Sequence, residues 1–361
     1  MKVRAFLNAF QPYEWEPSNE QLAASLGLRL EQIHRFDTNT SPFRPVKWLE
    51  ELAKLLPRLN VNEYPDPSYS KVRGLLAEYV GVDVDQILLA NGGDEALDII
   101  VRAFIDPGTK ALISTPTYSL FKILVEVMGG EALSVPRRRN FTDDVDAIIS
   151  HIGDETRLIF LCSPNNPTGN IVKREDVLRI LEEPGCTVVI DEAYYEFSGK
   201  TLADLTSRYE NLIVIRTFSK AFSLAGVRLG YIVASQKTTR LLNKLRPPNS
   251  VGIISLALAE IALKDLDTMR GYVDNILKER DRCVRFLQKL KNVVVYPSEA
   301  NFLLLRFLNL KGERAHRLLL ERGLVTRDFS KVPGLEGCIR FSPARPEEND
   351  MLLQAIAEIA G

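Results

Sequence analysis

The residues best suited to chemistry in this chain are a lysine, an aspartate and an arginine set near the ends of predicted strands. Lys220 lies in R-T-F-S-K-A-F-S-L-A-G-V-R-L-G (216–230), straight after the β-branched run L-I-V-I-R-T-F (212–218). An ammonium at the end of a buried strand is costly to desolvate. Lowering its pKa relieves that cost, and the neutral amine can then bond covalently to a carbonyl carbon. A lone lysine in a loop is simply solvated, but Lys220 has company. Asp191 ends another apolar run, T-V-V-I-D (187–191), and opens D-E-A-Y-Y-E. A buried aspartate beside a pyridine nitrogen keeps that nitrogen protonated, as an electron-sink cofactor requires. Taken singly, Asp191 reads equally well as a helix cap or a turn residue.

A second group of residues suits phosphate. Arg228 offers a planar fork for bidentate contact, with the hydroxyls of Thr217 and Ser219 close in sequence. G-G-D-E-A-L-D-I-I (92–100) reads as a Gly-rich turn opening a helix, whose free N–H groups and dipole favour an anion. In isolation this stretch predicts a helix capped by Asp94. Combined with Arg228, it predicts a phosphate cup that includes Gly93 and Asp94. S-P-N-N-P-T-G (163–169) is a rigid turn in which Asn165 reads as structural, whereas Asn166 is placed to reach a cofactor oxygen. Tyr118, after Pro-Thr, reads either as a ring laid on a flat heterocycle or as a core tyrosine.

These residues need a frame. Predicted strands are 86–90, 110–115, 157–162, 187–191, 212–218 and 229–234, with helical patterns at 94–105, 118–129 and 174–183. Near-continuous apolar strands alternating with helices predict an α/β fold with a mostly parallel sheet covered on both faces. The short link between 212–218 and 229–234 leaves no room for a crossover helix, so an antiparallel step and a mixed sheet are expected. Every polar cluster falls just after a strand, where open α/β sheets bind ligands. Five clusters on one rim therefore predict one site. From about residue 256 the texture shifts to a long helical pattern (272–290) and then short strands and helices. The expected organisation is an N-terminal arm (1–45) packed on the smaller domain, a large domain (46–255) and a small α+β domain (256–361).

Composition narrows the function further. The chain has 361 residues, 45% hydrophobic, with a formal net charge of -1. That balance gives no reason to expect nucleic-acid or membrane partners, and no apolar run reaches the length of a membrane span. The first residues lack the apolar core and cleavage site of a signal peptide, so a cytoplasmic location is expected. Four cysteines, at 162, 186, 283 and 338, form no CxxC. They predict reduced thiols and no zinc site. His34, His151 and His316 read as ordinary surface or packing residues.

The ordered set S-P-N-N-P-T-G, D-E-A-Y, S-K and G-V-R-x-G resembles fold-type I pyridoxal-phosphate aminotransferases, and among them the histidinol-phosphate aminotransferase family. The resemblance runs from Asn39 to Asn349 and includes N-E-Y-P-D-P (62–67), P-P-N-S-V (247–251), A-N-F-L-L-L-R (300–306) and I-R-F-S (339–342). It implies a mixed, mostly parallel seven-stranded sheet and pyridoxal 5′-phosphate as cofactor. Lys220 would bond the cofactor and shuttle a proton, Asp191 would pair with the ring nitrogen, and Tyr194 and Asn166 would bond the 3′-oxygen. Tyr118 would stack on the ring. Gly93, Asp94, Thr217, Ser219 and Arg228 would hold the phosphate. Tyr64 would reach the neighbouring subunit's cofactor, implying a homodimer with shared sites. Arg340 would take the α-carboxylate and Arg327 would complete an anionic pocket, with Asn39, Tyr64 and Asn166 also bordering the substrate.

The implied reaction is transamination between a small-molecule amino donor, L-histidinol phosphate, and a 2-oxo acid, 2-oxoglutarate, in histidine biosynthesis. Two departures bear on the donor. N-T-S-P-F-R (39–44) stands where the family has N-E-N-P-x-G, and R-F-S-P-A-R-P (340–346) differs from R-I-T-x-G-T. Arg345 is therefore either an extra cation near the pocket or an exposed charge. Aromatic or broad-specificity transamination and threonine-phosphate decarboxylation are the alternatives. A ligand-sensing domain of a transcription regulator fits poorly, because only about forty residues precede the large domain.

Overall fold

The protein is described by a computed structural model covering residues 2–4, 7, 10–13 and 17–361. A short strand, β1 (His34–Arg35), follows the helix Asn19–Leu26. The central sheet is then laid down by β2 (Ile87–Ala90), β3 (Lys110–Thr115), β4 (Glu131–Pro136), β5 (Thr156–Cys162), β6 (Thr187–Asp191), β7 (Leu212–Thr217) and β8 (Gly230–Ala234). Its order is β2-β8-β7-β6-β5-β3-β4. All neighbouring pairs are parallel except those made by β8, which runs antiparallel to both β7 and β2. Because β8 is reversed against both neighbours, β2 points the same way as the other strands. Its C-terminal loop thus joins theirs on one rim.

Two apolar layers sandwich this sheet. One contains Trp48, Leu76, Ile190, Val214 and Phe222. The other contains Ile100, Phe121, Phe160, Val189 and Ile215. Successive residues of β6 and β7 enter opposite layers, which is why these strands are β-branched and apolar throughout. Strand β4 departs from the sequence reading, which passed over E-A-L-S-V-P. It is an edge strand, and of its six residues only Val135 is buried, so it lacks a continuous apolar run.

A second, four-stranded antiparallel sheet has the order β12-β13-β10-β9, formed by β9 (Val293–Val295), β10 (Leu303–Phe307), β12 (Arg327–Asp328) and β13 (Cys338–Phe341). Between β10 and β12 lies β11 (Leu324–Val325), which pairs with β1 in parallel and so ties the arm to this sheet. The boundary expected at 255/256 lies within the helix Ile253–Leu263. Apolar residues after it still belong to the larger core, among them Met269, Val273 and Ile276 in the helix Leu266–Leu287 and, further on, Ala300 and Phe302. The same helix then gives Cys283 and Leu287 to the core beneath the second sheet.

Candidate active site

One cavity of about 1370 Å³ opens at the C-terminal rim of the central sheet. All five clusters contribute to it, from Gly93 and Asp94 after β2 to Ser219 and Lys220 after β7. Arg327 and Arg340 close its other side from β12 and β13, where they are cross-strand partners.

Lys220 is half-buried, and its Nζ donates to the Thr38 carbonyl at 3.3 Å. Burial lowers its pKa to about 8. The nearby Arg340 guanidinium pushes the same way, against Asp94 and Asp191. Asp191 is buried and accepts the Ala193 N–H at 2.9 Å. Burial raises its carboxyl to about 6, while that hydrogen bond works against the rise. The Tyr194 hydroxyl accepts from Asn39 Nδ2 at 2.9 Å, and burial raises its pKa. A pair of residues at the ends of β6 and β7 braces them. Arg216 and Glu192, almost fully buried, bond at 2.9 Å, and the guanidinium lies 3.6 Å over the Tyr195 ring. Residue type alone did not signal this brace.

The anion cup expected from sequence would be built from backbone as much as from side chains. The helix Gly93–Phe104 carries no side-chain cap; its N-cap is Gly92 at φ +89°, so the Asp94 cap expected from isolated sequence is not made. Asp94 instead sits in the first turn. It accepts from Arg228 Nη2 at 2.9 Å and from the Tyr118 hydroxyl at 3.1 Å. A Cβ at Gly92 would lie 2.7 Å from Arg228 Nη2, and one at Gly230 would lie 2.6 Å from the Gly92 carbonyl carbon. Glycine is thus required where this turn, Arg228 and β8 converge. Thr217 Oγ1 donates to Ser219 Oγ at 2.9 Å on the opposite wall.

Arg340 is buried, and Nη1 donates to Asn166 Oδ1 at 2.6 Å while Nη2 donates to the Asp37 carbonyl. Its Nε has no hydrogen-bond partner among the described residues. Burial lowers its pKa to about 10, which leaves it cationic at neutral pH. Asn165 has the structural place expected of it, bonding Thr168 in its own turn and the Pro116 carbonyl and Thr117 hydroxyl in the loop that precedes Tyr118.

Of the residues assigned a cofactor or substrate role from sequence, Tyr64 does not line this cavity; it is 85% exposed. Arg345 is exposed at the start of the last helix, also outside the cavity. Sequence reasoning missed Asp37, Thr38, His316 and Lys331, all of which line it. His316, expected to be ordinary packing, approaches Thr326 Oγ1 through Nδ1 at 3.3 Å, and burial lowers its pKa.

Residues 32–356 match the family model described as aminotransferase class I and II. The chain belongs to the class I and II aminotransferase family. Histidinol-phosphate aminotransferase from Thermoanaerobacter pseudethanolicus is 39% identical over 330 residues, covering 90% of this aminotransferase and 93% of the relative. Among solved structures, histidinol-phosphate aminotransferase from Sinorhizobium meliloti, crystallised with pyridoxal-5′-phosphate, superimposes with a TM-score of 0.88 at 26% identity, covering 100% and 98% of the two chains. L-threonine-O-3-phosphate decarboxylase from Porphyromonas gingivalis gives 0.78 at 25% identity, covering 90% and 98%. The fold is the type I fold of pyridoxal-phosphate enzymes.

Proposed function

We propose that this aminotransferase carries the amino group of L-histidinol phosphate to 2-oxoglutarate, yielding imidazole acetol phosphate and L-glutamate. The observation that carries the reading is the 39% identity, across nine-tenths of the chain, to a relative named for that activity.

Pyridoxal 5′-phosphate is the proposed cofactor, and the donor set suits it. The uncapped helix start at Gly93 and Asp94, with Arg228, Thr217 and Ser219, matches a phosphate. Lys220 matches an aldehyde, Asp191 a protonated ring nitrogen, and Tyr118 the flat of a ring. When bound, the cofactor supplies a carbonyl that condenses with amines and a ring that accepts the electron pair released at the donor's α-carbon. The protein's own residues do the rest. Lys220, with its pKa near 8, is neutral often enough at physiological pH to take the proton from the donor's Cα. Asp191 keeps a negative charge in a buried place, where a ring N–H⁺ offsets its desolvation. Asn166 gives its oxygen to Arg340 and has its amide NH₂ to donate to a cofactor oxygen, as does the Tyr194 hydroxyl. Arg340 is the proposed seat of the α-carbon substituent's anion, with Arg327 beside it. Arginine forks accept phosphate and carboxylate alike, so one pocket serves both half-reactions.

Tyr64, exposed and away from its own cavity, is proposed to reach the cofactor phosphate of a second subunit in a homodimer. Among the described residues no helix is long and apolar enough to cross a membrane; a cytoplasmic location is proposed alongside the biosynthetic role. Threonine-phosphate decarboxylation is the second reading. What supports it is the likeness to L-threonine-O-3-phosphate decarboxylase, with a TM-score of 0.78 at 25% identity.

The deciding test mixes yellow holoenzyme with L-histidinol phosphate alone. Bleaching of the visible band, reversed by 2-oxoglutarate with glutamate formed, is expected. A band that stays yellow rejects the donor, and carbon dioxide release from L-threonine O-3-phosphate would establish the second reading.

A further inference from the structure

Three consecutive residues of the arm touch three different members of the site. The Asp37 carbonyl accepts from Arg340 Nη2. The Thr38 carbonyl accepts from Lys220 Nζ at 3.3 Å, and Asn39 Nδ2 donates to the Tyr194 hydroxyl at 2.9 Å. Two of these contacts use backbone oxygens, so they depend on where the segment lies and not on its side chains.

One residue outside the cavity holds that segment in place. Arg35, on β1, grips the Asp37 carboxylate with both arms of its fork, Nε to Oδ1 at 2.8 Å and Nη2 to Oδ2 at 2.7 Å. Its remaining nitrogen, Nη1, donates to the Pro17 carbonyl at 2.8 Å. The Asp37 side chain is 0% exposed and that of Arg35 is 21% exposed. A bidentate guanidinium fixes both distance and plane.

We propose that Arg35 is a positioning residue for substrate anion binding: through Asp37 it sets the carbonyl that aims Arg340. This rests on the reading of Arg340 as the anion seat. Without Arg35, the Asp37 carboxylate is a buried charge with its partner gone, which folded proteins tolerate poorly. The carboxylate turns to water, its carbonyl turns with it, and Arg340 loses the acceptor that holds Nη2. The cofactor cup, which shares no contact with Arg35, stays intact.

The experiment uses holoenzyme and glutarate, an unreactive dicarboxylate, titrated by the change in visible absorbance, together with steady-state kinetics. Arg35→Ala is expected to raise the glutarate Kd and the KM for 2-oxoglutarate by the same factor, about tenfold, with cofactor content nearly unchanged and any fall in kcat smaller than that factor. Arg35→Ala/Asp37→Asn, which removes the stranded charge, is expected to bring both back to within about twofold of the parent. Arg340→Ala is the control, with a loss of about a hundredfold. If Arg340→Ala weakens glutarate and Arg35→Ala leaves Kd and KM unchanged, lowering only the melting temperature, the inference is overturned alone. If the double variant is no better than Arg35→Ala, the stranded charge is not the cause and the inference falls. If Arg340→Ala binds glutarate like the parent, both the seat and its positioning residue are wrong.

Discussion

Replacing Lys220 by methionine should make the cofactor-free protein more stable at neutral pH while removing its function. Burial holds this amine near 8 where an exposed lysine titrates at 10.5. Each pKa unit corresponds to about 1.4 kcal/mol, so the buried cation costs the fold roughly 3 kcal/mol when fully charged. The sign follows from proton counting. Between pH 8 and 10.5 the unfolded chain holds a proton on this lysine that the folded chain has released, so folded stability rises with pH across that window. The cost is therefore complete below pH 8 and absent above 10.5. Methionine has no such proton. Chemical denaturation of cofactor-stripped parent and Lys220→Met at a series of pH values gives the difference directly, with other titrating groups cancelling. The variant should be ahead by up to roughly 3 kcal/mol at pH 7, and the gap should close toward pH 10.5. A gap that does not vary with pH would mean that the lysine is not held neutral by the fold, and the argument for its reactivity would fail with it.

Other expectations follow from the same site. Lys220→Ala should abolish both turnover and the yellow absorbance of the cofactor-loaded protein; full activity would overturn the assignment. Asp191→Asn should keep the fold but lower kcat by about a hundredfold or more, since an amide does not hold a ring nitrogen protonated, and steady-state kinetics checks this. Gly230→Ala places a Cβ 2.6 Å from the Gly92 carbonyl carbon and should weaken cofactor retention, read by equilibrium dialysis. Mixing Tyr64→Ala and Lys220→Ala subunits should restore activity that neither has alone, because a hybrid dimer rebuilds one complete site. Hybrids that form without regaining activity would rule out the shared arrangement.

Much of this site was legible in sequence because its chemistry sits on strand ends. Buried strands announce themselves as β-branched runs, and the polar residue that ends each run, such as Asp191 after T-V-V-I or Lys220 after L-I-V-I-R-T-F-S, needs a reason to be there. The antiparallel step at β8 was readable from the short link before it. Other features left no local trace. β4 is an edge strand half-open to solvent, so its pattern resembles a loop. Asp37 and Thr38 act through backbone carbonyls, which every residue type possesses. The Arg340–Asn166 bond joins residues 174 apart in the chain, a distance at which periodicity carries no information. The Arg216–Glu192 brace is similar: Arg216 lies inside a run that otherwise reads as core, and Glu192 lies just after the end of another.

The cavity draws its walls from two sources. Its floor, with Lys220, Asp191 and the anion cup, comes from loops of the seven-stranded sheet, whereas its outer wall comes from residues 37–40 of the arm and from β12 and β13 of the other sheet. Under the proposed roles, the reacting groups and the groups facing the substrate anion come largely from separate parts of the chain. Substitutions in the outer wall that spare the contacts to Lys220 and Tyr194, at Thr40 for example, would retune which amine is admitted. A lineage built on this plan diversifies by redecorating an entrance, and laboratory selection for new donors is best confined to the same residues.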